Sequence, residues 1–388
     1  MGVTIPILLI IVSCLIIWRA CDGFDIASRY IGRNLSDGVR GATINAISSS
    51  IPELFTTAFF LLFLNDTNGF SGGIGTTAGS AVFNAVVIPA LVILVVAFFL
   101  KKENIYVSKK VILRDGISLI IAEIILIILI TGDTLFWWHG IILMITYFLY
   151  IFFMLSMMNK KENNQETCDF ERSSNNSNKI QSFFKLDLES LIIGKSNINQ
   201  KNAWQLLIAS TFIIGTSCLL LVAACEMISL EYYTLPFFGE LKGLNIPILF
   251  VAVVLASAAT SVPDTIISIR DAKNGDYNDA LSNALGSNIF DICFALGFPL
   301  FLYCIFYGPI QMDVDTVKFS SELRVLLLVI TICSFLIFYF GKYMTKTKGF
   351  LLFSIYILFI TYIISLSLEI KWALMISEQI SKIYLFLI

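Results

Sequence analysis

Two short stretches of this chain combine a proline, an acid and hydroxyl side chains in a way that could hold a cation. Ser-Ser-Ile-Pro-Glu runs from Ser49 to Glu53, and Thr-Ser-Val-Pro-Asp from Thr260 to Asp264. A proline inside a helix cannot donate to the carbonyl one turn back, so Pro52 frees the carbonyl of Ser48 and Pro263 that of Ala259. In lipid such groups need a partner, and a cation is a good one. The hydroxyls of Ser49, Ser50, Thr260 and Ser261 add neutral oxygens, and Glu53 and Asp264 add charge one residue past the proline. Calcium and sodium prefer an all-oxygen set of this kind. No soft ligand lies nearby in sequence to favour zinc or copper.

Each stretch is followed by a second motif. Gly-Ser-Ala-Val-Phe-Asn, Gly79 to Asn84, ends 31 positions after Glu53; Gly-Ser-Asn-Ile-Phe-Asp, Gly286 to Asp291, ends 27 positions after Asp264. Ser80 and Asn84 are four apart, as are Ser287 and Asp291, so each pair shares a helix face. Gly72, Gly73, Gly75, Gly79 and Gly286 permit close helix approach. A lone Pro-acid pair could merely open a helix, since acids favour a first turn, and a Gly-Ser run could serve packing alone. The same two motifs in the same order, in both halves of the chain, read instead as an internally duplicated transporter. Acids at membrane depth are costly, which makes an ion pathway the default reading.

These residues resemble the alpha-repeats of the sodium/calcium exchanger superfamily, the calcium/cation antiporters. The Gly-Ser-Ala-Val-Phe-Asn block and the Pro-Asp variant look closest to its potassium-dependent branch. The resemblance implies that Glu53 and Asp264 bind calcium directly. It implies that Ser50, Ser80, Ser261, Asn84, Asp291 and Ser287 complete the calcium and sodium sites, with backbone carbonyls near Ala46 and Ser257. It also implies alternating access by sliding of the first and sixth spans. Ser49 stands where many members carry threonine, which keeps the oxygen. Asp264 is one methylene shorter than a glutamate and enlarges the cavity, which suits an additional potassium ion.

Charge counting sharpens this picture. Glu53, Asp264 and Asp291 total minus three if all ionise, and one calcium leaves minus one in a low dielectric, which is expensive. A proton on Asp291 or a co-bound potassium would neutralise it. Exchange follows from shared ligands: either cation set satisfies the cage, and the empty cage is too charged to reorient easily.

The elements that must position these groups are membrane spans. The 388-residue chain is 57% hydrophobic and 14% charged, which excludes an ordinary soluble protein. Its net charge of -2 leaves no nucleic-acid footprint. The single histidine, His139, sits beside Trp137 and Trp138 and reads as an interfacial anchor. The 8 cysteines contain no CxxC pair, hence no disulfide framework or zinc site. Ile5 to Trp18 lacks a basic start and a cleavage site and reads as a retained first helix.

Ten apolar segments emerge, at 3–25, 38–64, 70–100, 108–131, 135–158, 203–228, 242–270, 277–307, 322–341 and 349–370. Each is long enough for about 30 Å of hydrocarbon. The fold expected is therefore all-α, ten transmembrane helices as two inverted five-helix repeats. Residues 1–158 form the N-terminal half with its repeat at 38–100. Residues 203–370 form the C-terminal half with its repeat at 242–307. Residues 159–202 form a linker rich in Asn, Ser and Lys, disordered in its first part. Ile180 to Ile193 fits either an amphipathic surface helix or plain linker. The tail, 371–388, is placed along the membrane surface. Lys and Arg crowd the odd-numbered connections, for example Arg29, Arg33 and Arg40, Lys101 to Arg114, Lys160 to Lys201, Arg270 and Lys273, and Lys342 to Lys348. Even connections hold few: Lys242 in the sixth, Lys318 and Arg324 in the eighth. Positive-inside bias places the odd connections in the cytoplasm and the N-terminus outside. Glu123, in the fourth span, is read as a structural hydrogen-bonding group ahead of a proton relay. Asp22 and Asp25 are read as solvated or paired with Arg29.

The function expected is sodium-for-calcium antiport in the cell membrane, with potassium dependence open and a calcium/proton antiporter as the alternative. A cation channel and an intramembrane aspartyl protease are the rivals from other classes, and the latter would need a Gly-x-Gly-Asp motif that Asp291 does not have. No enzymatic activity, cofactor or dedicated protein partner is expected. The partners are calcium and sodium ions, with potassium or protons open, and membrane lipid.

Overall fold

A computed structural model describes residues 2–31, 44, 46–64, 66–101, 105–156, 182, 185–194 and 197–387. Arg33, Arg40, Lys102, Lys195 and 157–181 of the linker region lie outside the described residues.

The first half holds α1 (Thr4–Ile31), α2 (Ala46–Ser49), α3 (Ile51–Leu64), α4 (Asp66–Val82), α5 (Ile88–Phe99), α6 (Lys109–Leu129) and α7 (Trp137–Ser156). A short α8 (Leu188–Ile192) precedes the second half. That half holds α9 (Gln200–Ser229), α10 (Ile248–Val251), α11 (Ser257–Thr260), α12 (Val262–Asn274), α13 (Tyr277–Phe290), α14 (Gly297–Tyr307), α15 (Val314–Tyr339) and α16 (Lys346–Ser367), followed by α17 (Lys371–Leu387). Four short strands lie in the connections: β1 (Thr134–Leu135), β2 (Tyr232–Leu235), β3 (Gly239–Lys242) and β4 (Ile310–Gln311). The protein is an almost wholly helical integral membrane protein. Among the described residues, eight helical stretches are long and apolar enough to cross a membrane. Two expected spans fall outside that set, each for its own reason. The second is broken by Pro52, leaving 14 residues in α3. The fourth, α6, carries Arg114, Asp115 and Glu123 within 21 residues, which is still about 31 Å of helix.

Two apolar clusters organise the interior. One is built from α1, α8 and α9 with Ile248, Val251, Ala252, Ala256 and Ala259; the other joins α4–α7 with α13–α17. Small residues let the halves cross closely. A Cβ on Gly79 would sit 2.4 Å from the carbonyl oxygen of Val253, and one on Gly140 2.4 Å from that of Gly297.

Contacts between connections fall into two sets. In one, the segment after α5 pairs Ile105 with Met344 before α16, and Ser108 N donates to Asn278 Oδ1 at 2.8 Å. In the other, β1 pairs antiparallel with β4, and Ser71 meets Thr316 hydroxyl to hydroxyl at 3.1 Å. Tyr233 in β2 donates to the carbonyl of Gly2, and Phe250, just after the sixth connection, meets Phe319 near the start of α15 at 5.3 Å between ring centroids, which adds both to this second set.

Several sequence expectations shift. Span one extends to Ile31 because Asp22, Asp25 and Arg29 pair with Arg270 and Asp271 of α12. Span nine starts at Val314, capped by Asp313, whose Oδ1 accepts from Thr316 N at 2.6 Å. Arg324 therefore belongs to a helix, not to the eighth connection. It is buried, and its guanidinium donates to the carbonyls of Ser320 (2.9 Å) and Ile130, capping the end of α6. The tail does not simply lie along a surface. Ala373, Ser377 and Ile380 share one face of α17 and are buried, and Ser377 and Ser381 donate to Glu322 Oε1 at 2.6 and 2.9 Å. Of the linker helix, the described part is only five residues, with Leu188 and Ile193 tucked into the α1–α9 cluster. Glu123 accepts from Thr331 Oγ1 at 2.7 Å, in keeping with a structural role. His139 stacks on Trp138 at 3.6 Å between ring centroids, four residues after strand β1.

Candidate cation site

Both Pro-acid motifs break a helix. The helical run stops at Ser50 and at Ser261, and α3 and α12 begin on the next residue. Glu53 and Asp264 occupy the first turn of those new helices, where unpaired N–H groups and the helix dipole favour negative charge. The bland reading of these acids as helix starts is thus correct about their position and is also what lets them sit in the membrane.

The second motifs change helix type at matching places. A π-turn spans Phe83–Val87 beside Asn84, and another spans Asp291–Ala295 starting on Asp291. A third, Ala252–Ala256, leads into Ser257. Each inserts one residue per turn and rotates the helix beyond it, so side chains from consecutive turns can aim at one point.

They aim at each other. Carboxylate oxygens of Glu53, Asp264 and Asp291 lie within 4.8 Å of one another, and all three side chains are fully buried. Hydroxyls and one amide bridge the halves. Ser80 Oγ donates to Glu53 Oε1 at 2.9 Å and meets Ser261 Oγ at 2.6 Å. Asn84 Nδ2 donates to Asp264 Oδ2 at 3.2 Å and to Asp291 Oδ2 at 3.4 Å. Ser287 Oγ donates to Asp264 Oδ1 at 2.7 Å and lies 3.5 Å from Ser49 Oγ. Glu53 Oε2, Asp291 Oδ1, Asn84 Oδ1 and Ser50 Oγ are buried with no hydrogen-bond partner. Buried oxygens left unpaired in this way are expensive unless a cation completes them. Three acids that close would repel strongly, and positive charge is what the arrangement lacks.

Ala46, Ser257 and Thr260 are also buried here; all three bond within their own helices, and the Thr260 hydroxyl also hydrogen-bonds Glu53. The carbonyl of Ala46 accepts from Ser50 N (3.1 Å) and Ser49 Oγ (3.3 Å). That of Ser257 accepts from Ser261 N (3.0 Å) and Thr260 Oγ1 (3.2 Å). Ser257 Oγ donates to the carbonyl of Val253.

Two asparagines were missed from sequence. Asn288 donates from Nδ2 to the carbonyl of Ala81 at 2.9 Å, tying the second motifs together. Ala81 holds the matching place in the first motif, so aligning the two six-residue blocks would have flagged the one position where a polar group replaces a methyl. Asn283, one turn before Ser287, donates to Ser268 Oγ (3.0 Å) and the Asp264 carbonyl (3.4 Å). Its only signal was that four-residue spacing.

Comparison with known proteins shows the family of the chain. A family model described as sodium/calcium exchanger protein matches residues 5–156 and 202–365. Sodium/potassium/calcium exchanger Nckx30C of Drosophila melanogaster is 35% identical over 104 residues, 27% of this chain and 12% of that protein. Sodium/potassium/calcium exchanger 1 of Gallus gallus is 35% identical over 133 residues, 34% of this chain and 19% of that one. The aligned part is thus under a fifth of these curated relatives. Among solved structures, the sodium–calcium exchanger NCX_Mj superposes with TM-score 0.54 at 21% identity, covering 92% of this chain and 98% of that one. The H+/Ca2+ exchanger CAX superposes with TM-score 0.57 at 13% identity, covering 98% and 91%. Both share the fold.

Proposed function

The chain belongs to the sodium/calcium exchanger family, and from that premise we propose that it is a secondary antiporter that exchanges sodium for calcium, a transporter and not an enzyme. The observation that carries this reading is the meeting of Glu53, Asp264 and Asp291 in one fully buried cage whose remaining oxygens have no partner. The ions are substrates: Glu53 and Asp264 hold calcium, and Ser50, Ser80, Ser261, Asn84, Ser287 and Asp291 complete the calcium and sodium positions. Because the two cation sets share ligands, loading one releases the other, and the cage reorients only when its charge is balanced.

The architecture of this reading is ten crossings in two inverted repeats, 1–158 and 203–370, joined by the linker at 159–202 and followed by the tail. The sorting of the connections supports it. Among the described residues, the first, third, seventh and ninth pair with one another; the fourth and the start of α4 meet the eighth, and the sixth, paired with the N-terminus, leads into Phe250 against Phe319 after the eighth. A chain that crosses at every segment, α3 and α6 included, gives that pattern. Five crossings per half then invert one half relative to the other, which brings the two acid-bearing helix starts to the midplane from opposite sides. The basic set of connections faces the cytoplasm, and the N-terminus lies outside. The membrane is the cell membrane.

The test is calcium flux in proteoliposomes with sodium, potassium and pH gradients varied independently. Calcium uptake driven by an outward sodium gradient at constant pH is expected; uptake driven by a pH gradient alone would replace this reading with calcium/proton exchange. Flux that needs no counter-ion and far exceeds antiporter turnover would replace it with a channel.

Similarity to sodium/potassium/calcium exchangers and the shorter side chain of Asp264 support potassium as a co-substrate beside Asp291. Asp291→Asn is then expected to remove the potassium requirement while sodium-driven calcium flux persists. Equal potassium dependence in the variant would discard that role.

A further inference from the structure

The cation site is covered on one side by a two-helix unit. α1 and α9 lie along each other, and α1 packs on α2, α11 and α12, the segments that carry the helix breaks. Most of that contact is apolar: Ile17, Ala20, Phe24 and Ala27 of α1 share a cluster with Ala256 and Ala259. Apolar surfaces of this kind can slip past one another at modest cost, since a shift exchanges one set of such contacts for another.

At one end the contact is charged instead. Asp22, Asp25 and Arg29 share one face of α1, at spacings of three and four. Arg270 Nη2 bonds Asp22 Oδ1 at 2.7 Å, and Arg270 Nη1 bonds Asp25 Oδ2 at 3.4 Å. Arg29 Nε donates to Asp25 Oδ1 at 2.9 Å, and Arg29 Nη2 reaches Asp271 Oδ1 at 3.5 Å. Arg19 lies 3.7 Å from Asp22 Oδ2. Three arginines and three aspartates make the group neutral, and Asp25 is almost fully buried within it.

A polar stripe connects this group to the cation site. Asp264, Ser268 and Asp271 fall four and three apart on α12 and so share its face. Asn283 bridges the first two from α13. Two oxygens along the stripe, Asn283 Oδ1 and Asp271 Oδ2, are buried and have no hydrogen-bond partner. An entering cation would find oxygen at each step from the basic face to Asp264.

We propose that Asp22, Asp25 and Arg29 of α1, bonded to Arg270 and Asp271 of α12, form a charge latch that closes the approach to the cation site along Asp271, Ser268 and Asp264, and that an ion passes on that side only when the latch opens. The proposal rests on the transporter reading above but not on which ions are exchanged. Arg29 and Arg270 hold the carboxylates of the approach and pin the covering helix to the core at the same time. With the latch broken, the covering pair is biased toward a position that admits water to Ser268.

The reporter is Ser268→Cys in a chain whose 8 native cysteines are replaced. Labelling by a membrane-impermeant methanethiosulfonate is measured from the basic face of oriented vesicles. Combined Arg29→Gln and Arg270→Gln is expected to raise the labelling rate on the order of tenfold, as when several part-buried ion pairs stop biasing a two-state equilibrium. Arg29→Lys with Arg270→Lys, which keeps both charges, is expected to hold the rate well below that of the double glutamine variant. Labelling unchanged by neutralisation, or the lysine variant labelled as fast as the glutamine one, would overturn the latch. A second arm avoids dependence on the neutralised variant. Asp22→Cys with Arg270→Cys, bridged by a bifunctional thiol reagent, should stop calcium flux, and cleavage of a reducible bridge should restore it; undiminished flux through the bridged protein also overturns the proposal. A protein that exchanges sodium for calcium but shows neither effect refutes the latch alone. One that shows both effects while its flux ignores sodium refutes the sodium reading alone.

Discussion

Glu53→Gln and Asp264→Asn are each expected to abolish calcium exchange while the protein still inserts and folds. Both side chains are fully buried, and each is held by hydroxyls that accept an amide as readily as a carboxylate: Ser80 on Glu53, Ser287 on Asp264. The amides keep shape and most hydrogen bonds, so stability should change little. It could even rise, because each change removes one of three mutually repelling acids. The cation loses one of its charged ligands in a water-poor site. Removing one partner of a buried charge pair costs roughly 3–5 kcal/mol, which is a hundredfold or more in affinity. Flux in proteoliposomes, read beside thermal unfolding in detergent, separates the two quantities. Undiminished calcium flux in either variant would remove both residues from the site. Because each acid stands in a different half, equal loss from the two also tests that one shared cage serves the whole chain.

Gly79→Val is expected to be nearly as severe for a different reason. A Cβ there would meet the Val253 carbonyl oxygen at 2.4 Å and Ser257 Cβ at 2.8 Å. The nearest obstruction is a backbone carbonyl and the next is a Cβ fixed to its own backbone, so α4 must move away from the segment leading into α11 rather than push a side chain aside. Overpacking of a well-filled interior costs about 1–3 kcal/mol and sometimes more. Here the displaced groups include Ser80, the next residue, which bridges Glu53 to Ser261. Lower thermal stability and loss of calcium flux should therefore appear together. Gly132→Val is the control, since a Cβ at Gly132 finds nothing nearer than 3.8 Å. A fully active, fully stable Gly79→Val protein would show that the close crossing of the halves is dispensable.

The parts of this molecule that the sequence made legible are those with local or repeated signals. Helix breaks at Pro52 and Pro263 are local: a missing N–H acts within one turn of its own residue. The pairing of Ser-Ile-Pro-Glu with Ser-Val-Pro-Asp needed only comparison of the chain with itself, and it named Glu53, Asp264, Asp291, Ser80, Asn84 and Ser287. Apolar length alone placed most of the helices, because about 30 Å of hydrocarbon must be spanned whatever the neighbours are. Asn288 was legible too, from its place opposite Ala81.

Other features depended on partners far away in the chain. Arg324 looked like a loop charge, yet the carbonyl of Ile130, 194 positions away, caps into its guanidinium. Ser377 and Ser381 looked like an unremarkable tail until Glu322 supplied an acceptor. Asp22 and Asp25 had a visible partner in Arg29 but not in Arg270, and their bond to the core extends the first helix past its apolar stretch. Composition and repetition thus determined that this is a membrane protein with an oxygen-rich Pro-acid motif in two copies. Tertiary structure alone decided that the copies face one another within 4.8 Å, which ligand oxygens remain unpaired, and where charge fastens the covering helices. The reason is physical: a sequence sets what each turn can offer, whereas desolvation and pairing energies depend on distances that exist only once the halves have packed.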